Sequence, residues 1–404
     1  MYDRLTIVVL GEPLGLRGNA NPPNLIWVMP AKESHPLDIL SNTSRIGGLW
    51  MSTELPAIGK ISPEAFSEYI YPHLGTAHSE VLFGPQSGGD VGVVRVAPGV
   101  VMASTTDPVF VVPQYGWERA AWFAVHILAS DAATSGLRPS LMTVDLNLPL
   151  SMTTEDFAQF WRAWDHTVKN LGITIIAGHT ARYEGCQFPM VGGATVMSLG
   201  SEDQYITPNM AKPGDMLLCT KGAAIETTGL FAATFPEWVR GQLGESLYKA
   251  ADHLFDQMSV VDDARWAASV GVRQNGVTAM HDATECGVVG GVFEMADCSG
   301  VGVELWDDAI VVRPEVEAMT SILRIDPLIS ISEGTLLLSV TADRVDAVVA
   351  VLRAQHIDVT VIGRMLPLTE GRWRTHRGVR QSLIHPRVDP FWEAFGRLAA
   401  SGAH

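Results

Sequence analysis

The sequence predicts a two-domain α/β (α+β) protein, and three observations carry that expectation. The chain of 404 residues is long enough for two domains with separate cores, and a composition that is 47% hydrophobic and 18% charged, with 38 glycines, suits compact layers joined by tight turns. Short apolar runs alternate with segments of helical period along most of its length. The stretch from Val277 to Ala296 reads as an apolar strand (Val277–Met280), then an acid, a hydroxyl and glycines, then a helix striped by Val288, Val292 and Met295. A glycine-rich passage from a strand into a helix N-terminus offers backbone N–H groups and a positive dipole end to an anion. Asp282 on the same turn could hold a cation against that anion, although such turns also serve plain tight packing.

Residues 1–54 read as an extension. Their first fifty residues combine Gly11-Glu12-Pro13-Leu14-Gly15 with Pro22-Pro23 and Ser41-Asn42-Thr43-Ser44 and show no sustained period, Leu5–Leu10 and Asn24–Met29 being the two short runs that could form strands. From Leu55 the texture becomes regular. Ser62 caps a helix with Pro63 at its first position and Glu64 suited to the dipole, and Gly75 ends it. Gly84–Asp90 is a turn before the strand Val91–Val96, and after Pro98-Gly99 a second strand, Val100–Ala103, runs into Ser104-Thr105-Thr106-Asp107. Trp117–Ser135 is a helix with Trp122, Val125, Leu128 and Ala132 on one face and Gly136 as its stop.

The strand Leu141–Leu148 follows, then a helix over Thr153–Leu171 whose stripe is Phe157, Phe160, Trp161, Trp164, Val168 and Leu171. The buried strand Ile173–Ala177 delivers Gly178-His179-Thr180, and Pro189–Leu199 is another strand whose Gly192-Gly193 admits a close approach by backbone or ligand. Polar, turn-rich Ser201–Gly214 holds the domain boundary, dividing 55–208 from 209–380. The second half runs through the strand Met216–Thr220, a helix, a longer helical stretch to Val270, the glycine-rich stretch already described and the strand Val301–Trp306. A βαβ-like unit (Thr335–Val340, Val345–Leu352, Val359–Ile362) closes it, before a tail, 381–404, with an amphipathic piece at Phe391–Leu398.

A net charge of −16 speaks against a nucleic-acid partner, since no basic stripe stands out against it. No apolar run reaches membrane-spanning length, and the N-terminus lacks a basic region followed by an apolar core and cleavage site. Four cysteines without a Cys-x-x-Cys pair fit a reducing compartment. A cytoplasmic protein is expected, with neither membrane nor nucleic acid as partner.

Four aspartates stand at telling places: Asp90 after a Gly-Gly turn, Asp107 after Thr-Thr, Asp131 on a helix whose other face is apolar, and Asp282 on the glycine-rich turn. Hard cations take carboxylate oxygens, and Mg²⁺ in particular is held by a few carboxylates together with nucleotide phosphates. Single turn aspartates commonly just brace turns. All four lying near glycine or threonine carries more weight.

The order Ser87-Gly88-Gly89-Asp90, Thr105-Thr106-Asp107, Ala129-Ser130-Asp131, Gly178-His179-Thr180 and Asp282-Ala283-Thr284-Glu285-Cys286-Gly287 resembles the aminoimidazole ribonucleotide synthetase (PurM-like) superfamily. Its members include that purine enzyme, selenophosphate synthetase, thiamine-monophosphate kinase and a hydrogenase maturation dehydratase, the last being closest in texture. The resemblance spans roughly Leu55 to Leu366. It implies a two-domain fold in which the N-terminal sheet, 55–208, binds ATP and pairs into a barrel shared by a homodimer, with a C-terminal α/β domain beside it. It also implies ATP and Mg²⁺ as cofactors. Carried over by position, Asp90, Asp107 and Asp282 match metal-binding acids, and Asp107 and Asp131 would act in catalysis. Gly88, Gly89, Thr105, Thr106, Gly178, His179, Thr180, Thr284, Gly287, Gly290 and Gly291 would face the nucleotide. Lys60 falls near a segment that closes over the phosphates in some members.

The pattern also departs from particular members. The chain ends in Gly402-Ala403-His404 and its last cysteine is Cys298, so the activity of the dehydratase, which needs a C-terminal cysteine, is not expected. No cysteine precedes Cys186, which argues against selenophosphate synthesis, and Ser130-Asp131 leans toward the thiamine-monophosphate kinase style. Cys286 stands where a glycine is usual; it is either a nucleophile near the phosphates or a buried thiol tolerated in a turn. The expected function is an ATP- and Mg²⁺-dependent enzyme that phosphorylates or activates a small acceptor of unread identity. Kinase-like transfer and an amide-activating synthetase or dehydratase step both stay open. The alternative is a nucleotide-binding accessory or maturation protein that acts on a protein partner without turnover of its own.

Overall fold

The computed structural model describes residues 43–46, 49–52, 55–56 and 59–402. The expected short strands at Leu5–Leu10 and Asn24–Met29 lie outside them. Within the expected extension, β1 (Thr43–Ile46) and β2 (Leu49–Ser52) pair as a two-stranded sheet.

The Ser62 side chain accepts from the Ala65 N–H, as a cap should, but α1 (Pro63–Ala65) is a single turn. It continues as a π-turn over Phe66–Ile70 and a 3₁₀ turn over Tyr71–His73, and Gly75, with φ of 79°, lies just beyond. The N-terminal sheet follows: β3 (Val81–Phe83), β4 (Gly92–Ala97), β5 (Val100–Phe110), the helix α2 (Trp117–Thr134), β6 (Pro139–Leu148), the helix α3 (Thr154–Leu171), β7 (Thr174–Arg182) and β8 (Met190–Ser201). Six strands lie in the order β3-β4-β5-β8-β6-β7, and only the β6–β7 pair is parallel. Ala120, Ala121, Ala124 and Leu128 of α2 and Phe160 and Trp164 of α3 are fully buried in one core with Met142 and Leu146 of β6. Small side chains on α2 let it sit close to the sheet. Thr153 and Asp156 form a reciprocal capping box at the start of α3, and Gly172 ends it in the left-handed conformation.

The C-terminal sheet is built from β9 (Met216–Thr220), the helices α4 (Ile225–Thr234), α5 (Pro236–His253) and α6 (Val261–Ala268), β10 (Val277–Asp282), α7 (Gly287–Cys298), β11 (Gly302–Trp306), α8 (Pro314–Leu323), β12 (Leu336–Val340), α9 (Val345–Ala354), β13 (Val359–Leu366), β14 (Arg372–His376) and β15 (Val379–Ser382), and α10 (Pro390–Ala400) closes the chain. Its seven strands run β10-β12-β9-β13-β11-β14-β15, and only β11 and β14 pair in parallel. Every residue of β10 and β12 is buried, because helices cover both faces of the sheet there. The expected long helical stretch to Val270 is instead α5 and α6, separated by a 3₁₀ turn. Helix α8 and the β14–β15 hairpin are additions to the sequence reading.

Two strands run further than expected. β5, expected to end at Ala103, continues through Asp107 and Pro108 to Phe110. The ladder to β8 slips register between Pro108 and Phe110, and such an irregularity tolerates a residue without an N–H. β7 likewise carries Gly178, His179 and Thr180 inside the strand rather than beyond its end.

Gly192 shows that the Gly-Gly pair of β8 accommodates backbone. Its φ is 135°, and a Cβ there would collide with the Asp145 carbonyl of β6. Gly192→Ala is therefore expected to destabilise the protein by about 2 kcal/mol or more, read as a lowered midpoint in urea unfolding. An unchanged midpoint would mean that β6 and β8 do not approach this closely.

Candidate functional site

The site forms where α2, β5 and the Gly88–Asp90 turn of the N-terminal sheet meet the end of β10 and the start of α7. Strand alternation decides which part of Thr105-Thr106-Asp107 takes part, because successive side chains point to opposite faces. The Thr105 hydroxyl donates to Asp131 Oδ2 at 3.0 Å, and Asp107, two residues on, lies beside Asp131 as well. Thr106 points the other way and shares a 2.7 Å hydrogen bond with the Thr195 hydroxyl.

Asp282 ends β10 and is buried, and its Oδ2 has no hydrogen-bond partner. One ligand atom each from Asp90, His281 and Asp282 can be chosen so that all lie within 4.8 Å of one another. Both ring nitrogens of His281 are nevertheless engaged: Nδ1 lies 2.8 Å from Asp90 Oδ1 and Nε2 lies 2.9 Å from Glu294 Oε2. Burial works against charge on this imidazole, yet Asp90 and Glu294 outweigh it and hold the pKa well up. His281 is thus clasped by two carboxylates that favour its charged form, and neither ring nitrogen is left free for a metal. A hard cation is matched by the remaining oxygens, above all the unpartnered Asp282 Oδ2 with Asp90 and, nearby, Asp107 and Asp131.

Lys60 is the second compensating cation. Its Nζ donates to the Thr284 hydroxyl at 3.0 Å, and its backbone N–H donates to Glu285 Oε2 at 3.0 Å. Burial would lower its pKa, but Glu294, Asp131, Asp282 and Asp90 together raise it. As a residue Lys60 is exposed, so solvent screens part of that field. The acids respond in the opposite sense. Burial pushes Asp90 up to about 6 against the pull of His281, and burial with the charges of Asp282, Asp107 and Asp90 raises Asp131 well above the carboxylate range.

The glycines divide by role. Gly287 has φ of 56°, and its N–H closes the turn onto the Thr284 carbonyl. A Cβ on Gly290 would press on Cys286, and one on Gly291 would press on Leu337 and approach the His281 ring, so both let α7 lie close against its surroundings. Gly88 has φ of 74° and meets Glu294 of α7, while Gly89 packs against Phe83. Cys286 adopts the left-handed conformation with φ of 64° at the cap of α7, is 3% exposed, and has its thiol pushed up to about 12 by burial. Such a thiol is a poor nucleophile.

Gly178, His179 and Thr180 sit on β7, in the same register row as Asp107 but three strands away, about 14 Å at the usual strand spacing. Alternation turns His179 to the exposed side with Asp145, where it bonds Tyr183 at 3.0 Å, and Gly178 and Thr180 to the side of Val144 and Leu146. The chain's own fold brings Lys60, Asp90, Thr105, Asp107, Asp131, Asp282 and Thr284 together and leaves Thr106 and these three outside that group.

Sequence reasoning missed several acids. Glu294 receives His281 and His385. Glu333 is buried with an unpartnered Oε1, and burial together with Asp282 and Glu226 raises it well above its usual range. Glu226 accepts the Glu333 N–H at 2.9 Å and is pushed up to about 8, chiefly by burial. The signals available were a lone acid in the apolar helix α4, an acid within the apolar run of α7, and an acid placed directly before the turn into β12.

Residues 88–200 match the family described as AIR synthase related protein, N-terminal domain, and residues 212–373 match AIR synthase related protein, C-terminal domain. The chain is 26% identical over 301 residues to carbamoyl dehydratase HypE of Escherichia coli (strain K12), covering 73% of this chain and 85% of that protein. It is 23% identical over 349 residues to selenide, water dikinase of Geobacter metallireducens, covering 77% of this chain and 94% of that one. The fold is similar to a crystal structure of hydrogenase maturation protein HypE in complex with ATP, with a TM-score of 0.57 at 19% identity, over 83% of this chain and 97% of that one.

The elevated Glu226 gives a pH prediction. Its folded pKa lies above the unfolded carboxylate value, so its stabilising contribution is full below about pH 4.5 and is lost as pH rises through about 8. Between those values the wild type should lose more melting temperature than Glu226→Gln. Parallel curves would show that this carboxyl is not held protonated.

Proposed function

The chain belongs to the AIR synthase related family, and from that premise we propose that it is an ATP- and Mg²⁺-dependent enzyme that uses the γ-phosphoryl group to phosphorylate or activate a small acceptor. The unpartnered, buried Asp282 Oδ2 amid further carboxylates carries the reading. A cluster with this surplus of acid calls for a cation beyond Lys60 and His281.

Asp90, Asp107 and Asp282 would hold magnesium, which when bound supplies charge neutralisation for the nucleotide phosphates. Lys60 and Thr284 would meet the same phosphates from the other side, with Gly88, Gly89, Gly287, Gly290 and Gly291 shaping the surrounding turns. Asp131, oriented by Thr105, would position the transferring group, and positioning supplies most of the catalysis in phosphoryl transfer.

Thr106 and His179 would find a role in a homodimer, where the exposed side of the N-terminal sheet would meet a second copy. Ile176 and Leu199 there are 53% and 46% exposed, a high value for sheet residues of this size. The four free cysteines suit a cytoplasmic setting, and no helix among the described residues is long and apolar enough to cross a membrane.

Thermal-shift titration tests the reading. Mg²⁺-ATP at about a hundred times its Kd should add about 2.7 kcal/mol of stability, visible as a raised melting temperature that disappears with chelator and in Asp282→Asn. A shift that survives both would place the nucleotide elsewhere. With binding secured, ADP release stimulated by one member of a metabolite panel supports the enzyme. Binding without any stimulated release supports the accessory role instead.

A further inference from the structure

The segment after β15 reaches back to the site at three points. His385 Nε2 lies 3.2 Å from Glu294 Oε1, and Glu294 passes the contact on to His281 and so to Asp90. Arg387 holds Glu64 with two prongs, at 2.6 and 2.8 Å, four residues beyond Lys60. Asp389 Oδ2 accepts the Cys286 N–H at 2.7 Å, on the turn that carries Thr284, while its Oδ1 caps α10 through the Phe391 N–H at 2.8 Å. The matched family domains end at residue 373, so all three contacts come from chain outside them.

The backbone is shaped for this reach. Arg387 has φ of 68°, a left-handed conformation unfavourable for a non-glycine residue, and its N–H donates to His385 Nδ1 at 3.0 Å. Both ends of the segment are anchored, with Leu383 3% exposed, Phe391 2% exposed, and the Phe391 ring packed on Phe231 at 5.6 Å. A strained turn held between two buried anchors persists only where surrounding contacts fix it.

We infer that residues 385–389 form a positioning brace, in which His385, Arg387 and Asp389 hold in register the metal acid, the Lys60 segment and the glycine-rich turn without touching nucleotide. The inference rests on the Mg²⁺-ATP reading of the site. Arg387 is its most separable member, because its side chain is 40% exposed and the residue it grips belongs to a single helical turn with little core of its own. A two-pronged guanidinium–carboxylate pair also has strict geometry, so reversing both charges should rebuild it.

The test is a charge-reversal cycle: Glu64→Arg, Arg387→Glu and the double variant, each measured for Mg²⁺-ATP Kd by calorimetry, for melting temperature, and for amide hydrogen exchange over residues 60–66 in nucleotide-free protein. The brace predicts a Kd weakened about three- to tenfold and faster exchange in each single variant. Melting temperature should stay near the wild-type value, and the double variant should recover both other readouts. Single variants that bind and exchange like wild type overturn the brace alone, as does a double variant whose losses add. Wild type that fails to bind Mg²⁺-ATP overturns the parent reading and the affinity claim with it, while exchange over 60–66 still reports whether the tether holds.

Discussion

Mutual repulsion among desolvated carboxylates is the constraint to which the rest of the structure responds. Two unit charges 4.8 Å apart, the spread of the Asp90–His281–Asp282 ligand atoms, interact by about 3.5 kcal/mol at an effective dielectric of about 20. Adding Asp107, Asp131, Glu226 and Glu333 multiplies such terms, and the fold offers two nearby cations against them. Burial first, and this repulsion second, displace Asp90, Asp131, Glu226 and Glu333 upward, so the cluster favours added positive charge. His281 and Lys60 are placed to relieve the most crowded part.

The two sheets are arranged so that this crowding falls where they meet. β10 is a fully buried edge strand, and its end delivers Asp282 directly into the turn before α7. α2 contributes Asp131 from an alanine-rich face close to its own sheet, and Gly88 lets the Asp90 turn press against α7. In open α/β sheets ligands gather at strand ends beside helix starts, and a surplus of negative charge at such a place suits a phosphate only together with a cation. The chemistry proposed here follows from that pairing, and the low charge content elsewhere in the chain leaves it undisturbed.

Much of this was legible in the sequence because it depends on local rules. Ser62 before Pro63, and Asp282 between an apolar run and a glycine cluster, each act within one turn of chain. The structure shows the first as a cap and the second as the acid at the site. The strand ends were misjudged where a tertiary ladder carried the strand through a polar run, as at Ser104–Asp107 of β5. Glu226, Glu294 and Glu333 were hidden because each becomes significant only when distant segments converge; Glu333 lies 51 residues from Asp282 along the chain. His385 and Asp389 were hidden for the same reason, since nothing near them in sequence signals the partner each meets. His179 and Thr180 show the converse: a motif read as one piece with the acids lies about 14 Å from them within a single chain, at the usual strand spacing.

The most direct test of the central claim, that the acid cluster is a divalent-cation site serving a nucleotide, is a crystal structure grown with Mn²⁺ and a non-hydrolysable ATP analogue, read by anomalous scattering. The account predicts an anomalous peak within bonding distance of Asp282 Oδ2 and an Asp90 oxygen, with His281 still clasped between Asp90 and Glu294. A peak ligated by His281, or nucleotide density with no manganese at these carboxylates, would contradict it.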